Sequence, residues 1–342
     1  MSHRLHPATG DNRLSRVNGV FIRPVPDTVE RPFWSVMIPT YNPNLKYLEQ
    51  ALSSVLEQAP GPREMQIELI DDGSTDFDPQ LFLREIAGAR ATFYRQPQHM
   101  GIGRNWNTCL ERASGQWVHL LHQDDLVLSG FYCRLREGIE TDPNIGAAFC
   151  HFFFSDSEGR RYIPSSRIKR NTPGILIDWL EHVFVGLSFT TPSIVVKRSV
   201  YERLGGFDVS FDYALDWDMW KRIASQYPLW YEPQPLAGSR RHRHSTTRKL
   251  MQSRTNIAEI RRSIETSKSY LTVAMAGDMA RRAQEYYTAY VVNRAAQLLL
   301  IERDAGTALA QLTEARKIRS TTAVIKAIIK LSLKTLRAGV RL

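Results

Sequence analysis

The sequence predicts an α/β protein: a mostly parallel central sheet, Rossmann-like, flanked by helices and followed by a C-terminal helical extension. Three observations predict it. Short apolar runs alternate with segments of helical spacing from residue 34 to residue 154. Clusters of polar residues follow three of those runs directly, as expected where strands end at a ligand-binding edge. The chain has 342 residues, 43% hydrophobic and 23% charged, which suits one large α/β domain with an appendage.

Taken in order, residues 1–32 read as a leader, partly flexible and rich in Arg, Pro and Asn. Trp34–Pro39 is a buried strand, stopped by Pro39 and followed by Thr40, Tyr41 and Asn42. Asn44–Gln58 places Leu45, Leu48, Leu52, Val55 and Leu56 on one helical face. Ile67–Ile70 is a second strand, ending at Asp71 and Asp72. Phe82–Ile86 is helical, Ala91–Tyr94 a third strand and Gly103–Ala113 a helix. Trp117–Leu121 is a strand that ends at His122-Gln123-Asp124-Asp125. Phe131–Glu140 is helical and Ile145–Phe154 a strand. Beyond about residue 250 the chain turns Ala/Arg/Leu-rich and helical, giving a division into residues 33–250 and 251–342.

Composition narrows the function. Three cysteines without CxxC spacing exclude a disulfide framework and a cysteine-based zinc module, and favour a reducing compartment. No apolar run approaches the ~20 residues of a spanning helix, and the N-terminus has no apolar signal core, so a cytoplasmic chain is expected. The net charge of +10 is uneven: residues 234–262 carry +7 and residues 316–342 carry +8, leaving a mildly acidic body. Glycine-rich phosphate loops are absent, which removes the main support for P-loop, kinase and dinucleotide readings.

Four clusters carry the chemistry. Asp124-Asp125 after a buried strand puts two carboxylates side by side, and a hard divalent ion, Mg²⁺ or Mn²⁺, would compensate them; a helix N-cap is the plainer alternative. Asp71-Asp72-Gly73-Ser74 is either an acceptor for a base or ribose, or an Asx-turn. Asp216, in Leu215-Asp216-Trp217-Asp218, is a carboxylate among aromatics, suited to a general base or to an ordinary acidic first turn of a helix. The run from Arg240 to Ser245 offers His242 and His244, as ligands or as a solvated basic loop.

Together and in this order, SVMIPTYNPNLKYLEQALSSVLEQ (35–58), IELIDDGSTD (67–76), GIGRNWNTCLERASGQWVHLLHQDDLVLSGF (101–131), PSIVVKRSVYERLGGFD (192–208) and LDWDMWKRI (215–223) resemble the family 2 glycosyltransferases, which have the GT-A fold. The resemblance implies an inverting transferase that moves a sugar from a nucleotide-sugar donor to a hydroxyl of a carbohydrate or lipid-linked acceptor. By position it puts Pro39, Thr40 and Tyr41 in the nucleotide pocket, Asp71 and Asp72 at the nucleobase and Arg104 near the nucleotide. It puts Asp124 near ribose and metal, Asp125 and His242 (or His244) on the metal, and Asp216 as catalytic base. Three departures stand out, the first being Arg241 and His244 in the late loop, which leave His244 as the alternative to His242. Leu215 replaces the Glu usual before the base, leaving Asp218 as a weaker rival, and His99 stands where Asn is common.

In the tail, Lys326, Lys330, Lys334, Arg337 and Arg341 fall on a stripe roughly 80° wide on a helix. That suits a peripheral contact with an anionic membrane at the inner face of the cell membrane, or docking with the stripe in water. A sugar nucleotidyltransferase would want a glycine-rich loop where PTYN stands. A non-catalytic nucleic-acid-binding protein would want its basic residues in an aromatic groove, so nucleic acid is not an expected partner.

Overall fold

The computed structural model describes residues 20–164, 167–242, 245–252, 255–300 and 304–318, and the isolated positions 322, 325, 326 and 329. Contacts divide the chain into two compact units. The first comprises Met1–Trp179, Ser188–Ser210 and Arg222–His242, and the second Leu180–Leu187, Phe211–Lys221 and Arg243–Leu342. The second unit thus takes in two short segments that precede residue 250 in the sequence.

The elements run β1 (Trp34–Thr40), α1 (Leu45–Leu56), β2 (Met65–Asp71), α2 (Pro79–Ile86), β3 (Thr92–Arg95), α3 (Ile102–Arg112), β4 (Trp117–Leu120), β5 (Leu126–Val127), α4 (Phe131–Ile139) and β6 (Ala147–Ser155). There follow β7 (Arg161–Tyr162), β8 (Gly174–Leu176), α5 (Trp179–Val185), β9 (Ile194–Lys197), α6 (Arg198–Leu204), α7 (Leu215–Ala224) and β10 (Leu229–Arg240). Local chemistry explains the starts. Asn44 caps α1 by accepting from the Tyr47 N–H, and α1 buries Leu48, Ala51, Leu52 and Val55. Asp78 caps α2, whose first position is Pro79.

The strands form one sheet in the order β3-β2-β1-β4-β9-β6-β10-β5, with β7 on β6 and β8 on β10. Pairs β1–β2, β2–β3, β1–β4 and β6–β10 are parallel. Strand β9 is antiparallel to both β4 and β6. The five strands and four helices expected up to residue 154 are all present. Periodicity misses β9, because four residues, IVVK, are too few to show a pattern. Pro233 and Pro235 donate no ladder bonds, and β10 loses its register with β6 at that stretch. The apolar core includes Val36, Ile38, Leu69, Leu121, Phe131, Leu135 and Val195.

Residues 20–32 are tied to this unit although they form no strand or helix. Ile22 is fully buried, the Val20 carbonyl accepts from the Gly206 N–H, and Arg31 donates to the carbonyls of Ser114 and Gly115.

In the second unit, α8 (Thr246–Gln252), α9 (Thr255–Ser267), α10 (Val273–Leu300) and α11 (Ala305–Ile318) supply most of the structure. Ala295 and Leu298 of α10 pack with Ala308 and Leu312 of α11. The amides of Asn256 and Gln311 bond each other, and Gln311 also donates to the Met251 carbonyl. No helix among the described residues is long and apolar enough to cross a membrane. Of the basic tail stripe only Lys326 is among the described residues.

His119 sits in β4, fully buried. Its Nε2 lies 2.9 Å from the Pro192 carbonyl and its Nδ1 3.0 Å from the Tyr132 hydroxyl. A carbonyl only accepts, so Nε2 carries the proton and Nδ1 accepts from Tyr132. Burial pushes the His119 pKa down to about 4. The unfolded chain therefore binds a proton near pH 6.5 that the folded chain refuses until about pH 4, and stability falls as pH drops through that window. The loss amounts to about 3 kcal/mol. Urea unfolding of His119→Gln is expected to show a shallower decline than wild type between pH 6.5 and 4; identical slopes would refute it.

Candidate active site

The sheet directions collect the candidate residues. Strands β1, β2 and β4 are parallel, so their carboxyl ends share one edge. From β4 to β9 and from β9 to β6 the direction reverses twice, and β10 runs parallel to β6. The carboxyl end of β10 therefore meets the same edge. Pro39 and Thr40 end β1, Asp71 ends β2, and the 122–125 segment follows β4.

Three loops are stitched together there. Asp71 is fully buried, accepts from the backbone N–H and hydroxyl of Ser74, and pairs with Arg95 Nε at 2.8 Å. Asp72 accepts from the Met100 and Gly101 N–H groups at 2.8 and 2.9 Å, and His99 Nδ1 lies 2.8 Å from it. Burial raises the Asp72 pKa, with those two N–H groups and His99 opposing the rise. Gly73 lets the loops close: its φ is +73°, and a Cβ there would stand 2.9 Å from the Gln98 carbonyl carbon. The Thr40 carbonyl accepts from the Asp72 N–H. Tyr41 is 40% exposed and stacks on His99, with ring centroids 4.0 Å apart. Gln123 holds the Tyr41 backbone from both sides, accepting from its N–H and donating to its carbonyl. Asn42, at φ 41°, donates its N–H to Ser74 Oγ and accepts from the Thr75 N–H. Arg104 is exposed on α3, whose start follows Gly101.

Next to these loops is a cluster of carboxylates and imidazoles. Asp125 is 3% exposed. It accepts from the Arg240 N–H at 2.8 Å, and His122 Nδ1 lies 3.1 Å from its other oxygen. Burial raises the Asp125 pKa, the His122 hydrogen bond lowers it and the Asp124 charge raises it again. The Asp124 side chain is 22% exposed, and His242 Nε2 stands 2.7 Å from its Oδ2. One donor atom from each of His122, Asp124 and Asp125 can be chosen so that all lie within 4.8 Å of one another. That spacing and the oxygen/nitrogen donor set fit one divalent cation. Arg240 braces the cluster: it donates to the Asp124 carbonyl and to Gln50, and its guanidinium lies 4.3 Å from the Tyr47 ring centroid. His244 lies outside the described residues.

Asp216 belongs to the second unit, in the first turn of α7. It is half-buried, and one of its oxygens accepts from the Trp217 N–H. Asp218, its rival, is fully buried and accepts from the Tyr270 hydroxyl at 2.8 Å. Lys221 is buried too, donating to the hydroxyl and carbonyl of Ser263. Glu259 of α9 accepts from the N–H groups of Asp212, Tyr213 and Ala214, and so fixes the approach to α7.

Sequence reasoning leaves four of these residues without a role. His122 was legible in principle, as the first member of His122-Gln123-Asp124-Asp125, but nothing in its spacing separates it from a strand-end residue. Gln123, Asn42 and Glu259 act through contacts 82, 32 and 45 or more residues distant, which leave no local signal.

Comparison with known proteins supplies the family. The model of glycosyl transferase family 2 matches residues 35–205. An uncharacterized glycosyltransferase of Rickettsia typhi is 25% identical over 224 residues, covering 63% of this chain and 66% of that one. An uncharacterized protein of Mycobacterium tuberculosis is 26% identical over 250 residues, 68% of this chain and 74% of the other. Among solved structures, residues 1–349 of S. aureus TarS in complex with UDP-GlcNAc superpose with a TM-score of 0.61 at 15% identity, covering 90% of this chain and 92% of that one. The longer S. aureus TarS structure is matched over half its length. At that identity the likeness speaks to the GT-A fold alone, while the family model spans half of the chain and includes the β1, β2 and β4 ends. The chain belongs to glycosyl transferase family 2.

Proposed function

We propose that the chain is an inverting transferase that moves a sugar from a nucleoside-diphosphate sugar to an acceptor hydroxyl. The observation that carries this reading is the gathering of Tyr41, Asp72, Asp124, Asp125 and His242 at one sheet edge. The exposed Tyr41–His99 stack offers an aromatic face to a nucleobase, with the Asp72 carboxylate beneath it. Pro39, Thr40 and Arg104 would line the nucleotide's surroundings, and Asp71 holds the turn through Ser74. Asp124, Asp125 and His242 are the residues that would hold a divalent cation such as Mg²⁺ or Mn²⁺. Bound there, such a cation would offset the charge that develops on the diphosphate leaving group.

Asp216 would take the proton of the attacking hydroxyl. Its partial exposure suits that task, whereas Asp218 is enclosed by Tyr270 and protein interior. A single displacement on the face opposite the leaving group then gives inversion. The TarS structures hold UDP and UDP-GlcNAc, and a 101-residue stretch of this chain is 32% identical to the Bacillus subtilis minor teichoic acid biosynthesis protein GgaB. These support a nucleotide-sugar donor and an acceptor in cell-surface polysaccharide or lipid-linked oligosaccharide synthesis. Such work would be done in the cytoplasm, with the tail at an anionic membrane.

Three outcomes are expected. In a thermal-shift screen, one class of nucleotide-sugar raises Tm by several degrees with Mn²⁺ and loses most of the effect with EDTA; at a hundred times Kd the stabilisation is about 3 kcal/mol. No response to any nucleotide-sugar would sink the reading. Asp216→Asn retains the donor-induced shift but lowers transfer by about 10²-fold or more, and full activity would remove Asp216 from its role. A chain ending near residue 320 binds anionic liposomes more weakly than the full chain; equal binding would detach the tail from the membrane.

A further inference from the structure

Beside Asp216 the second unit carries a row of aromatic side chains that runs from the interior to the surface. Trp217, the residue after Asp216, is buried and meets Tyr287 of α10 with ring centroids 4.6 Å apart. Tyr287 is 9% exposed, and its side chain bonds the Leu187 backbone. About one helical turn on, Tyr290 meets Tyr287 edge-on at 6.1 Å and 71°. Its side chain hydrogen-bonds that of Tyr213, which stands three residues before Asp216. The row therefore leaves the 213–217 segment at Trp217 and returns to it at Tyr213, with Asp216 between. Tyr213, Asp216, Trp217, Tyr287 and Tyr290 all belong to the second unit.

Exposure separates these rings. Trp217 and Tyr287 are spent on packing, whereas Tyr290 is 40% exposed. Tyr213 is half-buried and lies within charge range of Asp216 and of Arg294. Arg294 follows Tyr290 by one turn on the same stripe of α10 and is half-buried too. A lone exposed tyrosine needs no explanation, but this one is anchored at its hydroxyl next to the proposed base. A ring held in that way loses little further freedom when a ligand packs on it. An aromatic surface with a carboxylate and a guanidinium nearby matches what a pyranose offers, an apolar face of C–H bonds and a rim of hydroxyls.

Resting on the transferase reading above, we propose that Tyr290 binds the acceptor, its ring stacking on the pyranose that carries the attacking hydroxyl, and that Tyr213 is the positioning residue that holds this ring beside Asp216. The attacking hydroxyl then belongs to a sugar ring, not to an alkyl chain or an open-chain polyol. The helical extension thus supplies acceptor specificity, a task separate from donor binding at the sheet edge.

The experiment uses the full chain with UDP and Mn²⁺ and a panel of methyl glycosides (glucoside, galactoside, mannoside and N-acetylglucosaminide), with sorbitol as the open-chain control. Saturation-transfer NMR with irradiation of the aromatic protons is expected to transfer signal to the ring protons of at least one glycoside and not to sorbitol. Tyr290→Ala is expected to raise the Kd of that glycoside by about tenfold, with circular dichroism and the donor-induced Tm shift unchanged. Tyr290→Phe, which keeps the ring and loses the bond to Tyr213, stays within about threefold of wild type. If the Ala variant unfolds, Tyr290→Leu serves in its place and is expected to weaken the glycoside similarly. Equal glycoside affinity in wild type and the Ala or Leu variant, a loss in Tyr290→Phe as large as in Tyr290→Ala, or sorbitol binding in place of any glycoside overturns the role of Tyr290. So does a chain that binds no glycoside while a nucleotide-sugar still raises its Tm, and in each of these cases the transferase reading stands. A chain that responds to neither nucleotide-sugars nor glycosides overturns both.

Discussion

Four carboxylates gathered at one edge of a buried sheet must each be compensated, and the local structure of the first unit follows from how that is done. An unpaired carboxylate buried away from water costs several kcal/mol. Asp71 is compensated by Arg95 and the Ser74 turn, Asp72 by two backbone N–H groups and His99, and Asp125 by the Arg240 N–H and His122. Every one of these bonds joins a strand end to a segment remote in sequence or closes a tight turn. The loops are therefore held by charge compensation rather than by apolar packing.

This compensation also sorts the carboxylates by role. Asp71, Asp72 and Asp125 are buried with their oxygens engaged by the protein, whereas Asp124 keeps more exposure and meets His242 at 2.7 Å. The same sorting occurs in the second unit, where Asp218 is absorbed into a buried group with Tyr270 and Asp216 stays half-buried. Leu215 stands where a carboxylate is usual in the family and is buried. In this unit the approach to Asp216 is instead set by Glu259, which collects three backbone N–H groups. Adjacent acids in the sequence are thus not equivalent acids in the fold.

Most of the sheet was legible because β1, β2, β4 and β6 are almost wholly buried and read as mainly apolar runs between turn signals. The ends of β1, β2 and β4 were legible for the same reason: polar clusters there interrupt the apolar pattern abruptly. Strand β9 and the interleaving of the two units were not legible, since short strands and chain crossings depend on pairing partners far along the chain. His122 illustrates the limit most clearly. It stands two residues before Asp124, and while its bond to Asp125 closes a local turn, its stack on Trp106 exists only after α3 has docked.

The sequence by itself determined the alternation of strands and helices, the placing of acids at strand ends and the family to which the chain belongs. These are written in local patterns of three to ten residues, where apolar periodicity and turn chemistry act. Only the tertiary structure decided which acid of each pair is sequestered, that Gln123 clamps Tyr41, that Arg240 braces the cluster and that two histidines reach it. Those outcomes depend on burial and on contacts spanning up to 190 residues, and burial is a property of the assembled core rather than of any stretch of chain.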